Sequence, residues 1–233
     1  MKNTIDLQRP DLLPEDFKSR LYAIEPLCRE HEFSDELVEE TEVSILVDDL
    51  NRYCMEHQVI GIHYTRAIKE DIESKGLLVR TGKEIRNDLL DRFGNLFNSK
   101  ELEFLRNKWK SHQETQADIR DLRLWFNFTT EALSGSGGSG TKYLLGLYGG
   151  EQINMGIEFG SPIGKKLASI GEPMIVRCSL DPNNVDTYIQ NPWGKIIVSS
   201  FHLQVRPDAY RIDQDGSQRI SVPPENLIVE VVR

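Results

Sequence analysis

The hydrophobic period of this chain changes once, near residue 58, and that change limits its fold more than any other feature. Before it, apolar residues recur at helical spacing. Phe17, Leu21, Ile24 and Cys28 mark one helix over 14–32, and Ser34-Asp35-Glu36 caps a second that reaches about Glu56. The second carries Leu37, Thr41, Ile45, Leu46, Leu50 and Tyr53 on one stripe, with Glu39, Glu40, Glu42, Asp48 and Asp49 turned outward. Two antiparallel helices are expected.

After residue 58 strands enter. Val59-Ile60-Gly61-Ile62-His63-Tyr64 is a β-rich run, and 68–75 is helical and stops at Gly76, a natural C-cap. Residues 82–117 read as two helices, with Ile85, Leu89, Leu90 and Phe93 on the first and Leu102, Leu105 and Trp109 on the second. Strand returns at 123–129, followed by the glycine- and serine-rich stretch 134–140, expected as a mobile loop, and a short helix over 142–148. Beyond Pro173 the pattern is mainly strand, over 174–180, 195–205, 209–212 and 227–232. Helices first and strands later specify an α+β chain rather than βαβ alternation.

Charge is segmental as well. Residues 1–57 hold six Lys or Arg against fifteen Asp or Glu, which accounts for the whole net charge of -9, while 58–233 is neutral. With 233 residues, one core behind an appended acidic helical segment (1–57) is expected, the remainder (58–233) being the functional domain. No run approaches the roughly 20 apolar residues of a membrane span, and the N-terminus lacks a signal-type apolar stretch, so a cytoplasmic protein without a membrane partner is expected. Cys28, Cys54 and Cys178 lie far apart without a CxxC pairing, which suggests buried thiols and no metal. The chain lacks GxxxxGK[ST], and the glycine-rich 134–140, which includes a GxGxxG string, does not follow a clean strand into a phosphate-binding pattern, which argues against P-loop and dinucleotide-binding βαβ enzymes.

Three constellations carry candidate chemistry. His63, with Tyr64 and Thr65, stands at a strand end where polar groups face a cleft, although a lone histidine there is also a common structural residue. In Leu124-Trp125-Phe126-Asn127-Phe128-Thr129, Phe126 and Phe128 share one face and pack inward, leaving Trp125, Asn127 and Thr129 on a mixed face. That strand suits a core or the wall of a pocket for a flat ring. Tyr143 and Tyr148 precede Gly149-Gly150-Glu151, where the glycines admit a close ligand, or simply cap a helix that exposes Glu151. Trp109 beside Arg106, Lys108 and Lys110 suits base stacking on a basic surface, or amphipathic packing.

The order of these motifs resembles the ADP-ribosyltransferase superfamily. His63-Tyr64-Thr65, the helix 68–75 and Gly76-Leu77 resemble its His-bearing strand, helix and Gly-Leu turn; 125–129 and 142–148 resemble its aromatic strand and Tyr-bearing helix; Val222-Pro223-Pro224-Glu225 resembles the start of its final strand. The resemblance implies a split antiparallel β-sheet whose cleft holds NAD as substrate. His63 would bond the adenosine ribose, Thr65 would support that loop, Tyr64 between them would belong to the same cofactor-binding set, and Tyr143 or Tyr148 would stack on the nicotinamide. It also implies a carboxylate, usually a Glu near the start of a late strand, to stabilise an oxocarbenium-like transition state. The strand expected over 195–205 contains no acid, which leaves Glu151, Asp208 and Glu225, with Glu151 favoured for the space its glycines open. A related RNA phosphotransferase activity would need a basic cluster, for which His63, Arg66 and Arg80 are the nearby residues.

These readings imply a protein or nucleic-acid acceptor and, by analogy, a toxin or antiviral defence role. An NAD-consuming enzyme inside a cell needs restraint, so the segment 1–57, or a separate regulatory or antitoxin partner, is expected to control the cleft. The alternative is a non-enzymatic interaction protein whose acidic helices bind a basic partner. Salt separates the two, because exposed charge pairing is screened and chemistry in a closed pocket is not.

Overall fold

The computed structural model describes residues 4–130, 138–212 and 214–232, with backbone alone over 111–119 and 138–140. The described chain is α+β, with eleven α-helices and a seven-stranded sheet. In chain order the first elements are β1 (Thr4–Ile5), α1 (Glu15–Ala23), α2 (Glu25–Glu30), α3 (Ser34–Leu37), α4 (Thr41–Met55) and β2 (Gln58–Ala67). There follow α5 (Lys69–Lys75), α6 (Gly82–Phe93), α7 (Ser99–Arg120), β3 (Leu124–Asn127), α8 (Gly138–Gly146), α9 (Glu151–Asn154) and α10 (Pro162–Ala168). The chain closes with β4 (Glu172–Leu180), β5 (Val185–Thr187), α11 (Pro192–Val205), β6 (Asp215–Gln218) and β7 (Leu227–Val231). The sheet order is β5-β6-β3-β2-β4-β7. β2 pairs antiparallel with β3 at Ile62–Asn127, and β1 adds to β2 in parallel.

The chain divides into two compact units. The first comprises Met1–Ile62, Trp125–Thr130 and Cys178–Ser217. Its centre is α11, which was expected as a strand over 195–205 and is a helix. Nearly every residue from Pro192 to His202 is buried, so the helix shows no amphipathic period, and its Ile-Ile-Val run imitates a buried strand. Pro192 at the first turn supplies a pre-set φ and lacks only an N–H that a helix start leaves unbonded. At Gly194 a Cβ would stand 2.1 Å from the Val47 carbonyl oxygen, so glycine lets α11 lie directly on the backbone of α4. Trp193 beside it packs edge-on to Phe128 at 4.8 Å, and Phe126 and Phe128 do face inward.

The N-terminal helices are shorter and more numerous than their spacing predicts. Pro26 has no N–H to give and breaks the first at Ile24, and Leu37 belongs to the separate turn α3. The buried stripe of α4 is Val43, Leu46, Val47, Leu50 and Cys54, while Ile45 is 56% exposed and Thr41 also faces out. No strand forms over 209–212, where only Tyr210 bridges to Phe33. The three cysteines are buried thiols, as expected, with Cys28 pushed up to about 11 and Cys54 and Cys178 to about 12 by desolvation.

One directed hydrogen-bond chain ties this unit together. The fully buried His202 donates from Nε2 to the carbonyls of Cys28 (3.0 Å) and His31 (3.1 Å), so its Nδ1 must accept from Ser34 Oγ at 2.9 Å. Ser34 accepts in turn from Ser199 Oγ at 3.1 Å, and Ser199 accepts the Ile212 N–H at 2.9 Å. The chain closes only with a neutral imidazole. Desolvation, with Arg206 and His31 nearby, lowers the pKa of His202 below its ordinary 6.5.

The second unit comprises His63–Leu124, Glu131–Arg177 and Gln218–Arg233. Its core gathers Leu89, Leu105, Trp109, Ile153 and Leu167 from four helices, with Leu147 from the turn after α8. The Thr81–Glu84 capping box starts α6. The expected stop at Gly76 is present, with φ +77, where a Cβ would strike the Val222 carbonyl at 2.0 Å; Leu77 and Val222 exchange backbone hydrogen bonds at 2.9 Å there. The helix expected over 142–148 runs instead over Gly138–Gly146, and residues 134–137 of the expected loop lie outside the described residues.

Two predictions follow from the first unit. Residues 1–57 supply Leu7, Leu21, Leu37, Leu46 and Leu50 to its core, so their deletion abolishes cooperative unfolding, as measured by thermal denaturation, rather than releasing an active fragment. Because the native pKa of His202 is depressed, the unfolded state takes up its proton first. Stability is therefore retained above about pH 6.5 and falls below it, by up to about 1.4 kcal/mol per pH unit. Urea titrations at pH 7.5 and 5.5 should show that loss, and His202→Gln should reduce it.

Candidate functional site

Every residue of the leading site candidate lies in the second unit. β2 enters it at His63, which is half-buried, while Tyr64 and Thr65 are buried at 3% and 9% exposure. Burial pushes the Tyr64 phenol up to about 12, so it remains a neutral ring at physiological pH.

Arg66 then organises the neighbourhood. Its Nε donates to the Leu145 carbonyl at 3.1 Å, and its Nη1 donates to Gly171 at 2.7 Å and Ile170 at 3.4 Å. Its own carbonyl accepts the Gly149 N–H at 3.3 Å. The planar guanidinium thus joins the end of β2 to the end of α8 and to the turn before β4. Desolvation lowers its pKa, with Glu172 opposing the shift. At Gly171 a Cβ would stand 2.2 Å from the Ala67 carbonyl, so that turn also needs glycine to approach β2.

Gly149 and Gly150 have φ of +86 and +63, which L side chains rarely adopt, and they turn the chain from α8 into α9. Glu151 opens α9 half-buried, and its Oε2 forms an ion pair with Arg120 Nη1. The structure therefore brings the His63-Tyr64-Thr65 strand end and the Gly149-Gly150-Glu151 turn into one hydrogen-bonded junction at Arg66. The two tyrosines part company. Tyr148 is 7% exposed and packs edge-on to Phe93 at 5.4 Å, whereas Tyr143 is 39% exposed and lies against Phe159 at 4.6 Å.

The remaining candidates lie elsewhere. Asp208 is exposed beside Arg206 at 3.3 Å, and Glu225 is exposed in the turn Pro224–Asn226 that precedes β7. Arg66 is committed to carbonyls and Arg80 approaches Asp88 at 3.7 Å. Trp109 is a core residue, 7% exposed, with Nε1 donating to the Ile153 carbonyl at 3.1 Å. Residues 192–205 are helix, so the strand expected over 195–205 is absent; β6 begins at Asp215 and buries the polar side chains of Ser217 and Gln218. Its short, polar sequence gives no apolar alternation from which to read a strand. Among the described residues no group of three or more His, Cys, Asp or Glu side chains is placed to hold a metal ion, and no helix is long and apolar enough to cross a membrane.

Comparison with protein-family models, with curated proteins and with solved structures finds no match to this chain.

The junction at Arg66 makes a direct stability prediction. Arg66→Met leaves three carbonyls without their donor and should cost about 3 kcal/mol in urea unfolding. Arg66→Lys should fall between this variant and the parent, because one ammonium cannot span the same three acceptors.

Proposed function

We propose that the chain is an NAD-consuming ADP-ribosyltransferase that modifies a protein or nucleic-acid acceptor. The observation that carries this reading is the Arg66 junction, which sets the carboxylate-bearing turn at Glu151 against the end of the strand that bears His63. Breaking the bond between nicotinamide and ribose returns the bonding pair to the pyridinium nitrogen, so the leaving group departs neutral and needs no general acid. The charge to be stabilised is the positive one that develops on the ribose, and a carboxylate does this best. Glu151, ion-paired with Arg120, is a carboxylate on that turn.

In this reading His63 orients the adenosine ribose, Thr65 supports the strand end, and the half-exposed Tyr143 is better suited than the core residue Tyr148 to stack on the nicotinamide. The acceptor nucleophile then attacks C1′ of the ribose and loses its proton. Glu225, in the turn before β7, is the second carboxylate worth testing. A toxin or antiviral defence role, with a regulatory or antitoxin partner, is consistent with such chemistry.

A second reading has its own support. Glu32, Asp35, Glu36, Glu39, Glu40, Glu42 and Asp48 are all exposed on the first unit, a surface that suits a basic partner. Such binding would weaken steeply with salt.

The test is incubation of the full chain with labelled NAD, followed by separation of protein, DNA and RNA fractions. The parent should release nicotinamide and label one fraction. His63→Ala should reduce both, and Glu151→Gln should abolish both. If Glu225→Gln is silent while Glu151→Gln is active, the acid moves to the turn before β7. A folded parent that releases no nicotinamide would leave the interaction reading in place of the enzyme.

A further inference from the structure

Glu151 is followed by a residue whose side chain is fixed from several directions. Gln152 Oε1 accepts from Arg86 Nη1 at 3.0 Å, and the Gln152 carbonyl accepts from the same nitrogen at 3.4 Å. Its Nε2 donates to Asp121 Oδ1 at 3.1 Å, an oxygen that also accepts the Gly82 N–H at 2.9 Å. Arg86 is only 5% exposed, and desolvation lowers its pKa while Asp121 opposes the shift. At Gly82 a Cβ would stand 2.1 Å from Gln152 Oε1, so glycine as the first residue of α6 leaves room for this amide where it stands.

The partner segment is equally constrained. Arg120 ion-pairs with Glu151 while its neighbour Asp121 binds Gln152, so two consecutive residues grip two consecutive residues. The next residue, Leu122, has φ +55, a left-handed conformation that costs a non-glycine residue about 1–2 kcal/mol. Its N–H donates to the Arg80 carbonyl at 3.2 Å, which holds the turn in that form. An apolar side chain of the same size at 152 would fill the space without these directional bonds. A buried polar network of this kind specifies geometry more than it adds stability.

We infer that Gln152 is a positioning residue, locked by Arg86 and Asp121, that fixes the direction of the Glu151 carboxylate toward the reacting ribose. This inference rests on the transferase reading above. The lock works from the residue after Glu151, while the Gly149 N–H bond to Arg66 works from the residue two before it. Between them the backbone that carries the carboxylate is held on both sides.

Steady-state nicotinamide release from NAD by the full chain tests it, with melting temperatures recorded for each variant. Gln152→Leu removes the side-chain bonds and should lower kcat about tenfold or more with KM unchanged, since small misplacement of a reacting group is costly. Gln152→Glu keeps the Arg86 contact but sets one carboxylate against another. Its kcat should be low as well, because the new carboxylate accepts from Arg86 but has no proton to donate to Asp121. Either variant folded and at the parent kcat, in an assay where Glu151→Gln is silent, overturns the positioning role alone, as does a loss confined to KM. A folded parent that releases no nicotinamide overturns the transferase reading and this inference with it.

Discussion

A half-buried guanidinium must find acceptors or lose the gain of burying its stem, and in the second unit Arg66 finds them in the backbone carbonyls at 145, 170 and 171. Much else depends on that. The carbonyls come from the end of α8 and the turn before β4, segments about 80 and 100 residues further along the chain. Arginine suits this because its donors are spread across a rigid plane and can reach several acceptors at once. The same residue accepts the Gly149 N–H through its own carbonyl, so the strand that carries His63 cannot shift without moving the turn that carries Glu151.

Left-handed backbone is concentrated where that turn is built. Gly149 and Gly150 take positive φ at no steric cost, and Leu122 takes it against a steric penalty. A local distortion persists when its surroundings over-determine it, and Leu122 follows directly on the two residues that hold Glu151 and Gln152. Strain, buried arginine and a constrained carboxylate therefore coincide in one place. In the first unit the only other non-glycine residue with positive φ, among those described, is Asn191, and it has a plain structural role. Its side chain donates to Asp48 at 2.6 Å and it precedes Pro192 at the start of α11.

The legible parts of the fold were those whose signals are local. Gly76 ended a helix because its neighbours are periodic and it is not; α6 and α7 showed apolar residues three and four apart; Phe126 and Phe128 alternated inward. Where burial is complete, periodicity vanishes. α11 is buried on all sides, so its β-branched run read as a strand, and only Pro192 and a length of more than eight residues pointed to helix. β6 failed in the opposite way, because its buried side chains are polar. The candidate site was half legible: His63 and Glu151 stood out by residue type and by neighbouring glycines. The Arg66, Arg86, Arg120 and Asp121 contacts join residues too far apart in sequence to be read from spacing.

The central claim is that the end of β2 and the turn at 149–151 form one NAD site. Titration of NAD into isotopically labelled full chain, followed by amide chemical shifts, addresses it without requiring turnover. The account predicts the largest shifts in two stretches, 63–66 and 143–152, saturating together with a single dissociation constant. Saturable shifts confined to other residues, or none at millimolar NAD with a folded spectrum, would contradict it.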